Sequence, residues 1–311
     1  MSESSSAYHA PVLVEEVMEN LQPERGGLFL DGTLGGGGHA EALLVRGPDA
    51  RLIGVDRDPD AIREAGGRLA PFGSRVRFVR ATYAEAVAAA GIEPSSLRGA
   101  LLDLGISSHQ IDADARGFTF RPGAPLDMRM AGESRGEETA ADLLARLSEE
   151  ELATIFFRFG EEKRSRRLAR EIVAMRREGA LTRSEQLVAA IDRALLRPTA
   201  QDRARIFQAL RIAVNAELEG LETALPALRD ALEPGGVLAV LAYHSLEDRM
   251  VKDAFREWSR DCICPPQLPV CVCGGVAPGK SVTRKPIVAG DEEIARNPRA
   301  RSVRLRAWRR A

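Results

Sequence analysis

The stretch FLDGTLGGGGHA, Phe29 to Ala40, decides the fold. An apolar run, Leu28-Phe29-Leu30, ends at an acid, Asp31, and runs into a turn, four consecutive glycines and a helix start. A second apolar run, Leu52-Ile53-Gly54-Val55, ends at Asp56. Strand, glycine loop, helix, strand and acid, in that order, mark a nucleotide-type cofactor site in a doubly wound α/β domain. Glycines permit positive φ and let a ligand touch the backbone itself. A carboxylate about twenty residues past the loop suits the hydroxyls of a ribose.

Two cofactors fit such a loop. Gly35-Gly36-Gly37-Gly38-His39-Ala40 matches G-x-G-x-x-A, which admits a nicotinamide dinucleotide and an NAD-dependent dehydrogenase. Asp31 shifts the balance. A dinucleotide would bring an anionic pyrophosphate to this turn, and like charges repel most where water is excluded. S-adenosyl-L-methionine has no phosphate; its sulfonium and α-ammonium are cations that a carboxylate attracts. Asp103 ends a later apolar run, Ala100-Leu101-Leu102, and adds a third strand-end acid. Asp31, Asp56 and Asp103 are then expected along the carboxyl edge of one sheet, where open α/β sheets bind ligands. Each alone would serve equally well as a turn or helix cap. His39 is expected either to touch the ligand or to occupy the first helical turn.

Working outward, helical sequence near Val12 to Leu21 precedes the first strand. Asp58-Pro59-Asp60 starts the helix after the second strand, with Pro59 suited to its first turn. Val76 to Val79 and Ala100 to Asp103 read as further strands. The pattern stops at a long loop from Gly105 to Gly136, rich in Gly, Pro and charge. From about Thr139 to Leu196 the chain reads as helix without strands, with Ser148-Glu149-Glu150-Glu151 as a cap and acidic first turn. One further helix is expected over about Ile206 to Asp230. Pro234-Gly235-Gly236 then turns into a fifth strand, Val237 to Leu241, and Arg301 to Trp308 alternates basic and apolar residues like a strand with one wet face. The expectation is an α/β, Rossmann-like domain formed by residues 1–112 and 214–311, interrupted by an all-helical insertion at 113–213.

The chain has 311 residues, 44% hydrophobic and 29% charged, the composition of an ordinary soluble protein. A formal net charge of −1 gives no global sign of a nucleic-acid partner, so any basic surface is local. The start, MSESSSAYHA, lacks a basic-then-apolar signal pattern, and the apolar stretch near Val237 to Tyr243 is too short to span a bilayer. A cytoplasmic protein without a membrane partner is expected. The cysteines, Cys262, Cys264, Cys271 and Cys273, all fall in CICPPQLPVCVC. Paired C-x-C units resemble a zinc knuckle, yet the spacing is tighter than C-x-x-C, so a Pro-rich loop without metal is favoured.

Positive charge gathers in two places. One is Lys163-Arg164-Ser165-Arg166-Arg167 with Arg170, Arg176 and Arg177; the other is Arg296, Arg299, Arg301, Arg304, Arg306, Arg309 and Arg310. Such clusters suit phosphate contacts, or form solvated faces paired with Glu161, Glu162, Glu171 and Glu178. A non-catalytic RNA-binding assembly factor would use them without a cofactor. Phe118 and Phe120 either stack on an unpaired base or, more commonly, anchor their loop. Tyr243-His244-Ser245 follows the fifth strand, and His244 is a candidate proton relay.

Taken together, DGTLGGGGHA, VDRDPDAI, LLDLGISSHQID, RGFTF, PLDMRM, RIAVNAELE, YHSLEDRMVK and NPRARSVRLR resemble the bacterial MraW (RsmH) methyltransferases, and they span nearly the whole chain. The resemblance implies a class I methyltransferase domain with an inserted recognition domain. It implies S-adenosyl-L-methionine as methyl donor and the exocyclic N(4) amine of a cytidine in the decoding region of 16S rRNA, in the small ribosomal subunit, as acceptor. It places cofactor contacts on Gly37, Gly38, His39, Asp56, Asp103 and Gln110, beside the Asp31 reached from charge. It also places an adenine-stacking aromatic at Tyr83. Asp103 is the first candidate for catalysis and His244 the second. The family commonly reads SSPQ where this chain has Ser107-Ser108-His109-Gln110, and another residue where it has Gly36. The oligomeric state is left open.

Overall fold

The computed structural model describes residues 11–132, 136–262, 264, 272 and 275–311. It divides into two compact units, one built from the residues up to Gly105 together with those from Glu219, the other from Ile106–Leu218.

The first unit opens with α1 (Val14–Leu21), β1 (Gly27–Asp31), α2 (Gly38–Arg46), β2 (Ala50–Asp56), α3 (Pro59–Leu69), β3 (Val76–Arg80), the short α4 (Ala86–Ala89) and β4 (Leu97–Asp103). The second unit holds α5 (Ser108–Asp112), α6 (Ala140–Arg146), α7 (Glu149–Arg158), α8 (Ser165–Glu178), α9 (Ser184–Ala194) and α10 (Ala200–Asn215). The chain continues with α11 (Glu217–Ala231), then β5 (Leu232–Ala242), α12 (Ser245–Trp258), β6 (Gly279–Ser281), α13 (Asp291–Arg296) and β7 (Arg304–Arg310).

The seven strands form one sheet in the order β3-β2-β1-β4-β5-β7-β6. β1 to β5 are parallel, and β7 runs antiparallel between β5 and β6. This is the Rossmann-like order, and strand order reverses between β1 and β4, the switch point where such sheets bind ligands. Parallel strands covered by helices on both faces read as near-continuous apolar runs, which is why β1, β2 and β4 stand out in the sequence. Residues of α1, α2 and α3 pack on one face with Phe29, Leu52, Leu101 and Leu241. Residues of α4, α11 and α12 pack on the other with Leu30, Val55, Leu102 and Val240.

Local chemistry sets the helix ends. The Asp58 carboxylate caps α3 by accepting the Asp60 N–H at 3.0 Å, with Pro59 in the first turn. Ser148 and Glu151 exchange hydrogen bonds in a capping box, as their spacing predicts.

The expected single helix over Ile206 to Asp230 is two helices, broken at Ala216, whose φ is +49°. Asn215 explains the break. Its Oδ1 accepts the Met130 N–H at 2.8 Å, and its Nδ2 donates to the Met128 carbonyl at 2.7 Å and the Arg211 carbonyl at 2.9 Å. The buried amide thus ties the loop after α5 to the end of α10. In the same unit Phe120, which remains exposed, meets Phe207 edge-on at 5.9 Å. No described helix is long and apolar enough to cross a membrane. Cys271 and Cys273 lie outside the described residues, so the expectation for the cysteine cluster does too.

Candidate functional site

Asp31, Asp56 and Asp103 are the last residues of β1, β2 and β4. Asp31 pairs in register with Leu101 and Gly54, and Asp56 lies two residues beyond Gly54. Side chains two apart on a strand share a face, so all three carboxylates stand on the face covered by α1 and α2.

The glycine loop is strung between these acids. Asp31 Oδ1 accepts the Thr33 N–H at 3.1 Å, and the Thr33 hydroxyl accepts the Asp103 N–H at 2.5 Å. Asp56 Oδ2 accepts the Gly35 N–H at 2.8 Å, while its Oδ1 accepts the Asp58 N–H at 2.8 Å. A carboxylate offers about four acceptor sites, so Asp56 keeps capacity for hydroxyl donors. Gly37 caps α2 with φ +80°, and a β-carbon there would lie 3.2 Å from Ala65 Cβ. A side chain would meet both a strained backbone and α3.

The electrostatics are unusual for surface acids. Asp31 is 3% exposed. Burial pushes its carboxyl up to about 7, with the Asp103 and Asp56 charges adding to it against the Thr33 N–H bond. Burial likewise pushes Asp56 up to about 6, opposed by the N–H groups of Asp58 and Gly35. Acids held above their ordinary range by desolvation are groups that a cation would relieve. A diphosphate would worsen the same repulsion. The residues therefore fit S-adenosyl-L-methionine, with its two positive centres and a ribose.

His39 is fixed at the start of α2. Its Nε2 lies 2.9 Å from the Val12 carbonyl, and its Nδ1 lies 3.6 Å from Asp103 Oδ2. Donation from Nε2 to the carbonyl leaves Nδ1 facing the carboxylate. Tyr83 packs its ring against α11, where a β-carbon on Gly220 would sit 3.2 Å from Tyr83 Cε2. His244 caps α12: its Nδ1 accepts the Glu247 N–H at 3.4 Å. Its Nε2 is 3.0 Å from Glu247 Oε1, off the line that a hydrogen bond requires. Gln110 belongs to the second unit, where it is buried and its Oε1 accepts the Ser107 N–H at 3.1 Å.

Two groups escape sequence reasoning. Thr33 ties Asp31 to Asp103, and nothing but its place in the loop announces that. Tyr243 stands at the end of β5, and its phenol oxygen is buried with no hydrogen-bond partner; in the sequence the neighbouring histidine overshadows it.

Three of the C-terminal arginines are engaged within the fold. Asp248 holds Arg306 at 2.7 Å and Arg304 at 3.1 Å, and Arg310 donates to the carbonyls of Asp230 and Leu232. On the helical unit, Arg176 donates to the carbonyls of Leu144 and Leu147, and Arg170 is 3.6 Å from Glu149. Lys163, Arg164 and Arg166 are exposed, and the first two border a cleft of about 360 Å³.

Residues 6–311 match the model of the MraW methylase family. The ribosomal RNA small subunit methyltransferase H of Gemmatimonas aurantiaca is 50% identical over 311 residues, covering 99% of this chain and 96% of its own. The proteins of the same name from Heliobacterium modesticaldum and Geobacter sulfurreducens are each 49% identical, over 96% of this chain and 97% of theirs. The chain belongs to the MraW methylase family.

Proposed function

We propose that this member of the MraW methylase family is an S-adenosyl-L-methionine-dependent methyltransferase acting on the exocyclic N(4) amine of a cytidine in the decoding region of 16S rRNA. The observation that carries the cofactor assignment is the row of Asp31, Asp56 and Asp103 on one sheet face, with Asp31 and Asp56 held above their ordinary range by desolvation. Relatives of half-identical sequence named ribosomal RNA small subunit methyltransferase H support the acceptor.

When bound, S-adenosyl-L-methionine supplies an electrophilic methyl on a sulfonium. Asp31 is assigned to its cationic amino-acid end and Asp56 to the ribose hydroxyls. Gly37 and Gly38 let the backbone approach, and His39, tied to the Val12 carbonyl, sets the first turn of α2 beside them. Tyr83 offers a ring to the adenine. Cytosine's amine is a poor nucleophile because its lone pair is delocalised into the ring. Asp103 accepts a hydrogen bond from that amine and so favours the lone pair. Holding the amine near attack distance supplies much of the acceleration. The base must leave any stack to reach the edge of the sheet. His244 is assigned to holding α12, because its ring is engaged by Glu247. The helical unit, with Lys163, Arg164 and Arg166 exposed, is assigned to RNA docking.

Nucleoside mass spectrometry of 16S rRNA from a strain lacking the gene tests the acceptor. Loss of N(4)-methylated cytidine, restored by the gene but not by its Asp103→Ala form, is expected. A full complement of that nucleoside in the deletion strain rules the assignment out. Methyl transfer to undermodified small subunits, run beside naked RNA, identifies the substrate form.

A further inference from the structure

Tyr243, the first residue after β5, stands on the same sheet face as Asp103. Asp103 pairs in register with Leu241, two residues before it, and Tyr243 packs against the core cluster to which Leu101 and Leu241 belong. Its ring lies on Gly105, where a β-carbon would fall 2.8 Å from Tyr243 Cε2. Its backbone N–H donates to Glu247 Oε2 at 2.9 Å. The ring is thus seated by a missing side chain and the main chain by a buried carboxylate.

Two buried atoms at this point have no hydrogen-bond partner: the Tyr243 hydroxyl and Asp103 Oδ1. Burial, with the Asp103 carboxylate beside it, holds the phenol well above its ordinary value, so it remains an O–H donor. Asp103 is close enough to act on the phenol as a hydrogen-bond acceptor as well as through its charge, yet neither the hydroxyl nor Oδ1 completes a hydrogen bond of full geometry. Native proteins rarely leave a buried donor and a buried acceptor unpaired, and such a pair points to a ligand that supplies both complements.

We propose that Tyr243 and Asp103 read the amino edge of the acceptor base, with the phenol donating to ring N3 of cytosine and Asp103 Oδ1 accepting from N(4)–H. The assignment rests on the methyltransferase reading of the site. Cytosine carries an acceptor and an amine donor side by side, whereas uracil carries the reverse at the same edge. The pair therefore selects the amine base as well as orienting it. Position favours the acceptor over the cofactor's adenine. Three strand intervals of about 4.8 Å separate β2, with its ribose acid, from β5. An adenosine held at Asp56 leaves the β4–β5 end to the transferring methyl. As the new N–CH3 bond forms and the S–CH3 bond breaks, the proton lost by the amine passes to the carboxylate it already bonds.

Tyr243→Phe removes the hydroxyl and keeps the ring. Single-turnover transfer to undermodified small subunits is expected to fall about 10- to 100-fold, the loss of one aligned hydrogen bond. Cofactor affinity by calorimetry and the melting temperature are expected to stay unchanged. Gly105→Ala, which displaces the ring, is expected to slow transfer similarly. A Tyr243→Phe rate within twofold of the unmodified protein overturns the assignment and leaves the methyltransferase reading intact. A loss of cofactor affinity equal to the loss of rate also overturns it, by moving the phenol to the cofactor. Failure of the unmodified protein to methylate any cytidine sinks both.

Discussion

Asp31→Asn is the substitution that tests the buried acids most directly, because it separates their cost to the fold from their use in binding. The unfolded chain releases this proton near pH 3.8 and the folded chain near 7. Between those values the folded state holds more protons, so stability falls as pH rises through the window and levels off above it. At 1.36 kcal/mol per pH unit, the ionised carboxyl costs the ligand-free fold about 4 kcal/mol at pH 8. Asparagine removes the charge but still buries an amide, which returns roughly 1–3 kcal/mol of that. The variant is therefore expected to be about 2 kcal/mol more stable than the unmodified protein at pH 8. That is roughly 4–8 °C in melting temperature for a unit of this size. The advantage shrinks as pH falls below 7, vanishes about 1.5 units lower, and reverses at more acid pH, where the carboxyl is neutral and only the amide's burial cost remains. Cofactor reverses the order, since a cation relieves the ionised form only where the carboxylate exists. Affinity for S-adenosyl-L-methionine is expected to drop about 10- to 100-fold, matching a typical charge-assisted bond of roughly 1.5–3 kcal/mol. Thermal melts at pH 5 and 8, with and without ligand, together with calorimetry, provide the measurements. A variant that melts below the unmodified protein at pH 8 without ligand, or that binds the cofactor equally well, refutes the reasoning.

Four further outcomes are expected. Gly37→Val forces a β-branched side chain into φ +80° against Ala65 and should abolish cofactor binding in calorimetry while β1 and β2 stay protected from hydrogen exchange; tight binding would show that the turn is not the cradle. Asn215→Ala strands the Met130 N–H and the Met128 carbonyl and should cost about 2–4 kcal/mol, visible as faster proteolysis after α5; unchanged cleavage would count against the tether. Asp248→Ala leaves Arg306 without its partner in the sheet and should cost about 3–5 kcal/mol in thermal melts, a melting shift under one degree contradicting it. Replacing Lys163, Arg164 and Arg166 by alanine should weaken RNA binding and reduce the slope of log affinity against log salt by about 2, since each lost single-strand phosphate contact contributes about 0.7; an unaltered slope would remove this face from the RNA interface.

Features governed by short-range rules are legible in the sequence. Strands β1, β2 and β4 are buried on both faces, so each is an apolar run that stops at an acid. The capped starts of α3 and α7 are visible because their caps lie within three residues of the groups they satisfy. The break at Ala216 is invisible because its cause is a tertiary contact: Asn215 bonds residues 85 and 87 positions away. An asparagine inside a helical pattern looks tolerable until the loop that it binds is in place. Strand β6, only three residues with a glycine, carries no periodicity at all and exists because β7 offers it an edge.

The site divides along the same line. The acids can be found because three strand ends share one chemistry, and the sheet brings strand ends together. Partner assignments fare worse, because charge in a sequence does not say which charges meet. The basic C-terminal strand looks like a phosphate surface, yet Asp248, 56 and 58 residues earlier, takes two of its arginines. His244 attracts notice as the titratable residue after β5, and its ring goes to Glu247 three residues on. The neighbouring tyrosine looks like core filling. Its interest lies in what is missing around it: no side chain on Gly105 and no partner for its hydroxyl or for Asp103 Oδ1. A local pattern cannot display such an absence, because an unpaired buried atom is defined only once every neighbour is placed. The acid array and the orphaned pair thus share one cause. A fold that carries buried charge and unpaired polar atoms at the edge of its sheet is less stable alone than its core would permit. The deficit is recovered when a cationic cofactor and an amine-bearing base occupy that edge.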